Sequence, residues 1–216
     1  MIHSKKKALL MMVCAVMLVL VSVMGTMAYL TSSDEVVNTF TVGKVAITLD
    51  EAKANADGSL FDQGVTRVKA NSYKLLPGHT YNKDPMVTVL EGSESSYVKM
   101  TVTFSNAAEL DAIFAPTGAD MTSIFNGYDG SNWIVKDVTK DTANNTRTYE
   151  FWYKEAVAAP DGDVELDALF DKIVVPGSIT NDDLATIEGM TITVNAYAIQ
   201  ADGFDTPEAA WAAFHA

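Results

Sequence analysis

From Gly43 onward, apolar side chains return at every second position rather than every third or fourth, and that spacing decides the fold class. Between Tyr97 and Phe104, Val98, Met100, Val102 and Phe104 fall on one side, with Lys99, Thr101 and Thr103 on the other. Successive side chains of a strand point to opposite faces, so this pattern is a half-buried strand. Val45, Ile47 and Leu49 repeat it after the Gly43 break, and Pro85 opens another strand over Met86–Leu90 where no ladder donor is needed. Leu75-Leu76-Pro77-Gly78 reads as a turn between them. Trp133–Val138 and Thr146–Val157 predict a hairpin across the polar Thr139–Asn145 connection, with Tyr149, Phe151 and Tyr153 sharing one face. Thr191–Gln200, rich in Thr, Val, Ile and Tyr, is a late strand.

Helical patterning is minor. Ala107–Ala115 predicts two turns and Val164–Phe170 one or two, while Asp182-Asp183 suits a turn or a helix start. The tail is better marked, with Thr206 as N-cap, Pro207 at the first helical position and Glu208 in the first turn. Trp211 and Phe214 are three apart and would dock together on the sheet. Strands without a βαβ rhythm predict an all-β fold: antiparallel sheets, most simply a β-sandwich with short peripheral helices. No repeat or low-complexity linker divides the chain after residue 44, so residues 44–216 read as one sandwich domain with a C-terminal helix.

The front of the chain is a different object. Lys5, Lys6 and Lys7 precede an uncharged stretch that runs from Ala8 to Ser33 and closes on Gly25-Thr26-Met27-Ala28. A basic start, an apolar middle and a small-residue exit make a secretory signal over residues 1–28, with cleavage expected between Ala28 and Tyr29. The alternative is an uncut anchor, although the apolar heart, Ala8–Val23, is short for a span of about 20 residues. Cys14 is a poor lipid-attachment site, because bulky Met11, Met12 and Val13 precede it. Cleavage removes three lysines and Cys14, leaving 12 basic against 28 acidic side chains, a net charge of −16 and no cysteine. Such a protein draws its stability from core area and backbone hydrogen bonds. Its acidity disfavours nucleic acid, which needs clustered Lys and Arg, and anionic membranes. The only membrane contact expected is through the signal segment before cleavage.

Motifs for catalysis are scarce. His79 sits in a Pro-Gly turn and His215 is penultimate, and neither belongs to an HExxH helix. There is no G-x-S-x-G elbow, P-loop or Rossmann glycine set, so no catalytic residue, zinc site or cofactor is expected. Asp161, Asp163, Glu165 and Asp167 place carboxylates at spacing two, a weak calcium candidate without the EF-hand frame. The aromatic faces of Tyr149–Tyr153 could stack on sugars, but rings on alternating strand positions more often belong to a core.

Three stretches together, Gly25-Thr26-Met27-Ala28-Tyr29-Leu30-Thr31, Asn38-Thr39-Phe40-Thr41-Val42-Gly43 and Val45-Ala46-Ile47-Thr48-Leu49, resemble the start of the TasA/camelysin family of exported Gram-positive proteins. Pro77-Gly78, Lys83-Asp84-Pro85 and Tyr97-Val98-Lys99 are similar to the same group, as are Ala196–Gln200 and the Trp211 tail. The resemblance implies a signal peptide cut by a SipW-type peptidase, a jelly-roll-like sandwich, and a subunit of extracellular-matrix, biofilm or cell-surface fibres. Some members are called metallopeptidases, an activity that nothing here matches as a zinc motif. The resemblance further implies head-to-tail homopolymers formed by donor-strand exchange, with the freed N-terminal segment of residues 29–43 entering the next subunit. Its apolar side chains are Tyr29, Leu30, Val36, Val37 and Phe40. Adding a strand satisfies an open sheet edge, and contacts that do not close generate filaments. Alternatively, residues 36–42 form the domain's own first strand. The rival functions are a camelysin-like metal-dependent endopeptidase and a surface module binding glycans or proteins.

Overall fold

The computed structural model describes residues 6–7, 10–18, 43–114, 125–128 and 130–214. The chain divides into two units, Met1–Val42 and Gly43–Ala216. In the first, residues 6–7 and 10–18 are helical (α1). No helix among the described residues is long and apolar enough to cross a membrane. The expected cleavage point at Ala28 and Tyr29, and the assembly segment up to residue 42 with Tyr29, Leu30, Val36, Val37 and Phe40, lie outside the described residues.

The second unit is mostly β, in antiparallel sheets with short helices. Its centre is β5 (Ser93–Ser105), thirteen residues whose inward side chains Val98, Met100, Val102 and Phe104 are at most 2% exposed. On one side β5 pairs with β12 (Ile192–Gln200), from Ser96 beside Gln200 to Phe104 beside Ile192. On the other it pairs with β8 (Thr146–Tyr153), and β8 pairs in turn with β7 (Trp133–Asp141). The expected hairpin is present, but β7 runs on to Asp141 and the turn is confined to residues 142–145. There the Asp141 carboxylate accepts the Ala143 and Asn144 N–H groups. A short strand β9 (Val157–Ala159) joins the far end of β5 across a register shift between Ser93 and Ser96.

A second sheet has the order β10-β4-β1-β2, built from β1 (Ile47–Ala52), β2 (Arg67–Val68), β4 (Met86–Val89) and β10 (Val164–Glu165). A third joins β3 (Thr80–Asn82), β11 (Lys172–Val174) and β6 (Phe125–Asn126). Inward residues of all three sheets meet in one apolar cluster: Val87 and Val89 from β4, Phe104 from β5, Phe125 from β6, Phe151 from β8 and Ile173 from β11. Phe125 stacks on Phe170 at 4.1 Å and Phe104 meets Tyr149 edge-on at 6.0 Å. Tyr149 and Phe151 are therefore core, not a sugar platform.

The helix expected over Val164–Phe170 does not form. Leu166, Leu169 and Phe170 are buried at a spacing that mimics a helical face. Their backbone donors go elsewhere: Leu166 N–H to the Val87 carbonyl and Leu169 N–H to the Pro85 carbonyl. Bonded to β4 in this way, the segment begins as strand β10 and continues without regular structure.

The other helical segments agree with their caps. In α2 (Ala107–Phe114) the first N–H groups are taken by Asn145, whose carbonyl accepts from Ala107 and whose side chain accepts from Ala108. Helix α3 (Asn181–Thr186) opens on a reciprocal capping box between Thr180 and Asp183. Helix α4 (Pro207–Ala213) has Thr206 as N-cap and lays Trp211 and Phe214 over the outer face of the central sheet. Lys99 lies 4.7 Å from the Trp211 ring centroid and 5.5 Å from that of Phe214, its ammonium also paired with Glu150 at 3.2 Å.

Candidate functional site

The edge strand β12 borders a groove in the second unit. Among the described residues β12 pairs only with β5, so its opposite edge, nine residues long, carries no strand. A groove of about 840 Å³ runs beside the start of β12, walled by Leu75, Phe104, Ile173, Ile187, Met190 and Ile192. It continues past Asn71, Lys83 and Ile192 into a smaller hollow of about 260 Å³, where Leu49 and Asp50 of β1 face Val194 of β12. The wall is apolar near α3 and polar near β1. The first part suits buried side chains and the second suits backbone or charged groups.

The polar end is built on five charged residues and an amide. Glu51 and Lys83 are 5% and 7% exposed and form an ion pair through Glu51 Oε2. The other carboxylate oxygen, Oε1, accepts from Asn71 Nδ2 at 2.9 Å. Asn71 also donates to the Ala52 carbonyl and accepts the Ala54 N–H, both at 2.8 Å. Beside them Arg67 Nε binds Asp50 at 2.8 Å and Arg67 Nη1 binds Asp84 at 2.6 Å, while Asp84 accepts the Ala52 N–H at 2.7 Å. Burial first, and then the nearby Glu51 carboxylate, push the Tyr73 phenol well above its ordinary value. Its hydroxyl donates to the Asn82 carbonyl at 2.6 Å.

These side chains meet because β1, the segment after β2 and the segment after β3 converge. Glu51 ends β1, Asn71 follows β2, and Lys83 follows β3 with its N–H on the Asp171 carbonyl. Sequence reasoning gave none of the three a functional role. The nearest signal was a lysine between the Thr80–Asn82 strand and Pro85, which points to no partner on its own.

The structure does not gather the calcium candidates. Asp163 accepts the Glu91 N–H at 2.8 Å, and Asp167 accepts from Asn132 at 2.7 Å and from Tyr153 at 3.3 Å. Asp161 and Glu165 are exposed. Among the described residues no group of three or more His, Cys, Asp or Glu side chains is placed to hold a metal. His79 is exposed with its ring 6.4 Å from that of Tyr81, and His215 lies outside the described residues. A scan against protein-family models and searches of curated proteins and of solved structures found no match to this chain.

Proposed function

We propose that this chain is an exported, non-enzymatic structural protein, a jelly-roll-like sandwich that polymerises into fibres of the extracellular matrix or cell surface. The observation that carries this reading is the strandless edge of β12 beside an apolar-walled groove. An unpaired edge is a template for another chain, and soluble proteins normally blunt or cover it. The occupant is the segment Tyr29–Thr41 of a second copy, freed by a SipW-type peptidase after Ala28. Thirteen extended residues reach about 40 Å, enough to line the roughly 30 Å of β12. Its Tyr29, Leu30, Val36, Val37 and Phe40 supply apolar side chains for the groove wall. A contact between one copy's front segment and another's groove is head-to-tail, so it extends rather than closes.

The test is electron microscopy of protein beginning at Tyr29, beside one lacking Tyr29–Thr41 and one carrying Val194→Asp in the groove. Filaments are expected from the first alone, since Val194→Asp would bury an unpaired carboxylate against the incoming strand. Filaments from the truncated form would remove the donor segment from the mechanism, and filaments from Val194→Asp would remove the groove.

A further inference from the structure

We infer that the cluster of buried Glu51 and Lys83 with half-buried Asn71 is a self-processing site that joins Lys83 Nζ to Asn71 Cγ in an intramolecular isopeptide bond. The inference is independent of whether the chain polymerises. Three features carry it. The two oxygens of one carboxylate hold the two reacting groups, Lys83 Nζ on Oε2 and Asn71 Nδ2 at 2.9 Å on Oε1, so amine and amide are presented side by side. The Asn71 carbonyl oxygen accepts the Ala54 N–H at 2.8 Å, a donor aimed where negative charge develops when Cγ is attacked. Glu51 and Lys83 are almost fully buried, so water competes poorly with the amine.

The atoms balance without any added reagent. Glu51 Oε2 takes a proton from the Lys83 ammonium, leaving a neutral amine and a carboxylic acid. The Nζ lone pair forms the bond to Asn71 Cγ while the carbonyl π pair moves to Oδ1, facing the Ala54 N–H. Glu51 gives its proton to Nδ2. The Oδ1 pair then re-forms the carbonyl, the Cγ–Nδ2 bond breaks, and ammonia leaves. The carboxylate takes one proton from Nζ, which becomes an amide nitrogen. A buried ammonium and carboxylate are thereby replaced by a neutral amide and a neutral acid, removing two charges that are costly to keep from water. Glu51 touches both reacting groups and is the catalytic residue, serving as base and then as acid.

Intact-mass spectrometry of the purified full chain tests this. The folded protein is expected to be lighter than its sequence by one molecule of ammonia. Trypsin is then expected to leave the Lys83–Asp84 bond uncut and to return residues 70–74 joined to residues 75–99. Glu51→Gln should keep the full sequence mass. Asn71→Asp should reach the same final mass as the natural chain, because water leaves in place of ammonia and the product is identical. A natural chain of full sequence mass, with Lys83 open to trypsin, overturns the proposal whatever the variants do. Loss of ammonia traced to an imide between Asn71 and Ser72 overturns it equally, and a cross-link in Glu51→Gln removes the assigned catalyst.

Discussion

On β5 and β8 the inward positions are nearly all apolar: Val98, Met100, Val102, Phe104, Tyr149 and Phe151 fill them, and the strands have partners on both sides. Around β1, by contrast, the buried positions next to Ala52 hold Glu51 and Lys83, with half-buried Asn71 hydrogen-bonded to Glu51 and Arg67 clamped between Asp50 and Asp84. The two regions flank one core yet are stabilised in different ways. Apolar packing tolerates small imperfections, because each lost contact costs a little. A buried polar network is all or nothing, since one missing partner leaves a desolvated charge.

Mutations separate the two. Phe151→Ala, at 0% exposure, should cost about 4 kcal/mol in urea unfolding, mostly cavity and lost transfer energy. A cost under about 1 kcal/mol would mean that the central sheet is less tightly packed than its burial implies. In an Asn71→Ala background, where no cross-link can form, Lys83→Met should cost about 3 kcal/mol by stranding the Glu51 carboxylate. Adding Glu51→Leu should restore part of that, whereas combining Lys83→Met with Phe151→Ala should be near additive. If the Glu51→Leu double variant is no better than Lys83→Met alone, the corner behaves as ordinary packing and the contrast fails.

The smallest effect concerns the exception on the apolar side. Arg147, 3% exposed, reaches Asp111 of α2, which also pairs with Lys140 at 3.1 Å. Burial pushes the Asp111 carboxyl up, but the Arg147 and Lys140 bonds outweigh it and hold it below its ordinary value. A depressed folded value means that this stabilisation is fully present above the unfolded value, near pH 4, and is lost as pH falls through the folded one. The urea midpoint should therefore fall on acidification below about pH 4, and Asp111→Asn should flatten that limb. An unchanged acid limb in the variant would take Asp111 out of the acid response.

How far each region was legible follows from the same contrast. The strand at Tyr97–Phe104, the hairpin after Trp133, the late strand and the capped tail could all be read, because period and cap chemistry are local. The Glu51, Asn71 and Lys83 cluster could not, since its members lie up to 32 residues apart and meet only where the end of β1, paired with β2, comes up against the residue that follows β3. The misread segment at Val164–Phe170 failed for a related reason. Its apolar spacing is compatible with a helix, and only the carbonyls of Pro85 and Val87, far off in the chain, decide otherwise.

The placement of β5 also governs how the chain reaches its fold. Its ladder with β12 sets Ser96 against Gln200 and Tyr97 against Ile199, so the central strand has no complete set of neighbours until almost the whole chain is available. Closing so long a loop before any contact rewards it makes for slow folding, on the order of milliseconds to seconds. The central sheet therefore locks only once β12, the last strand, has joined β5.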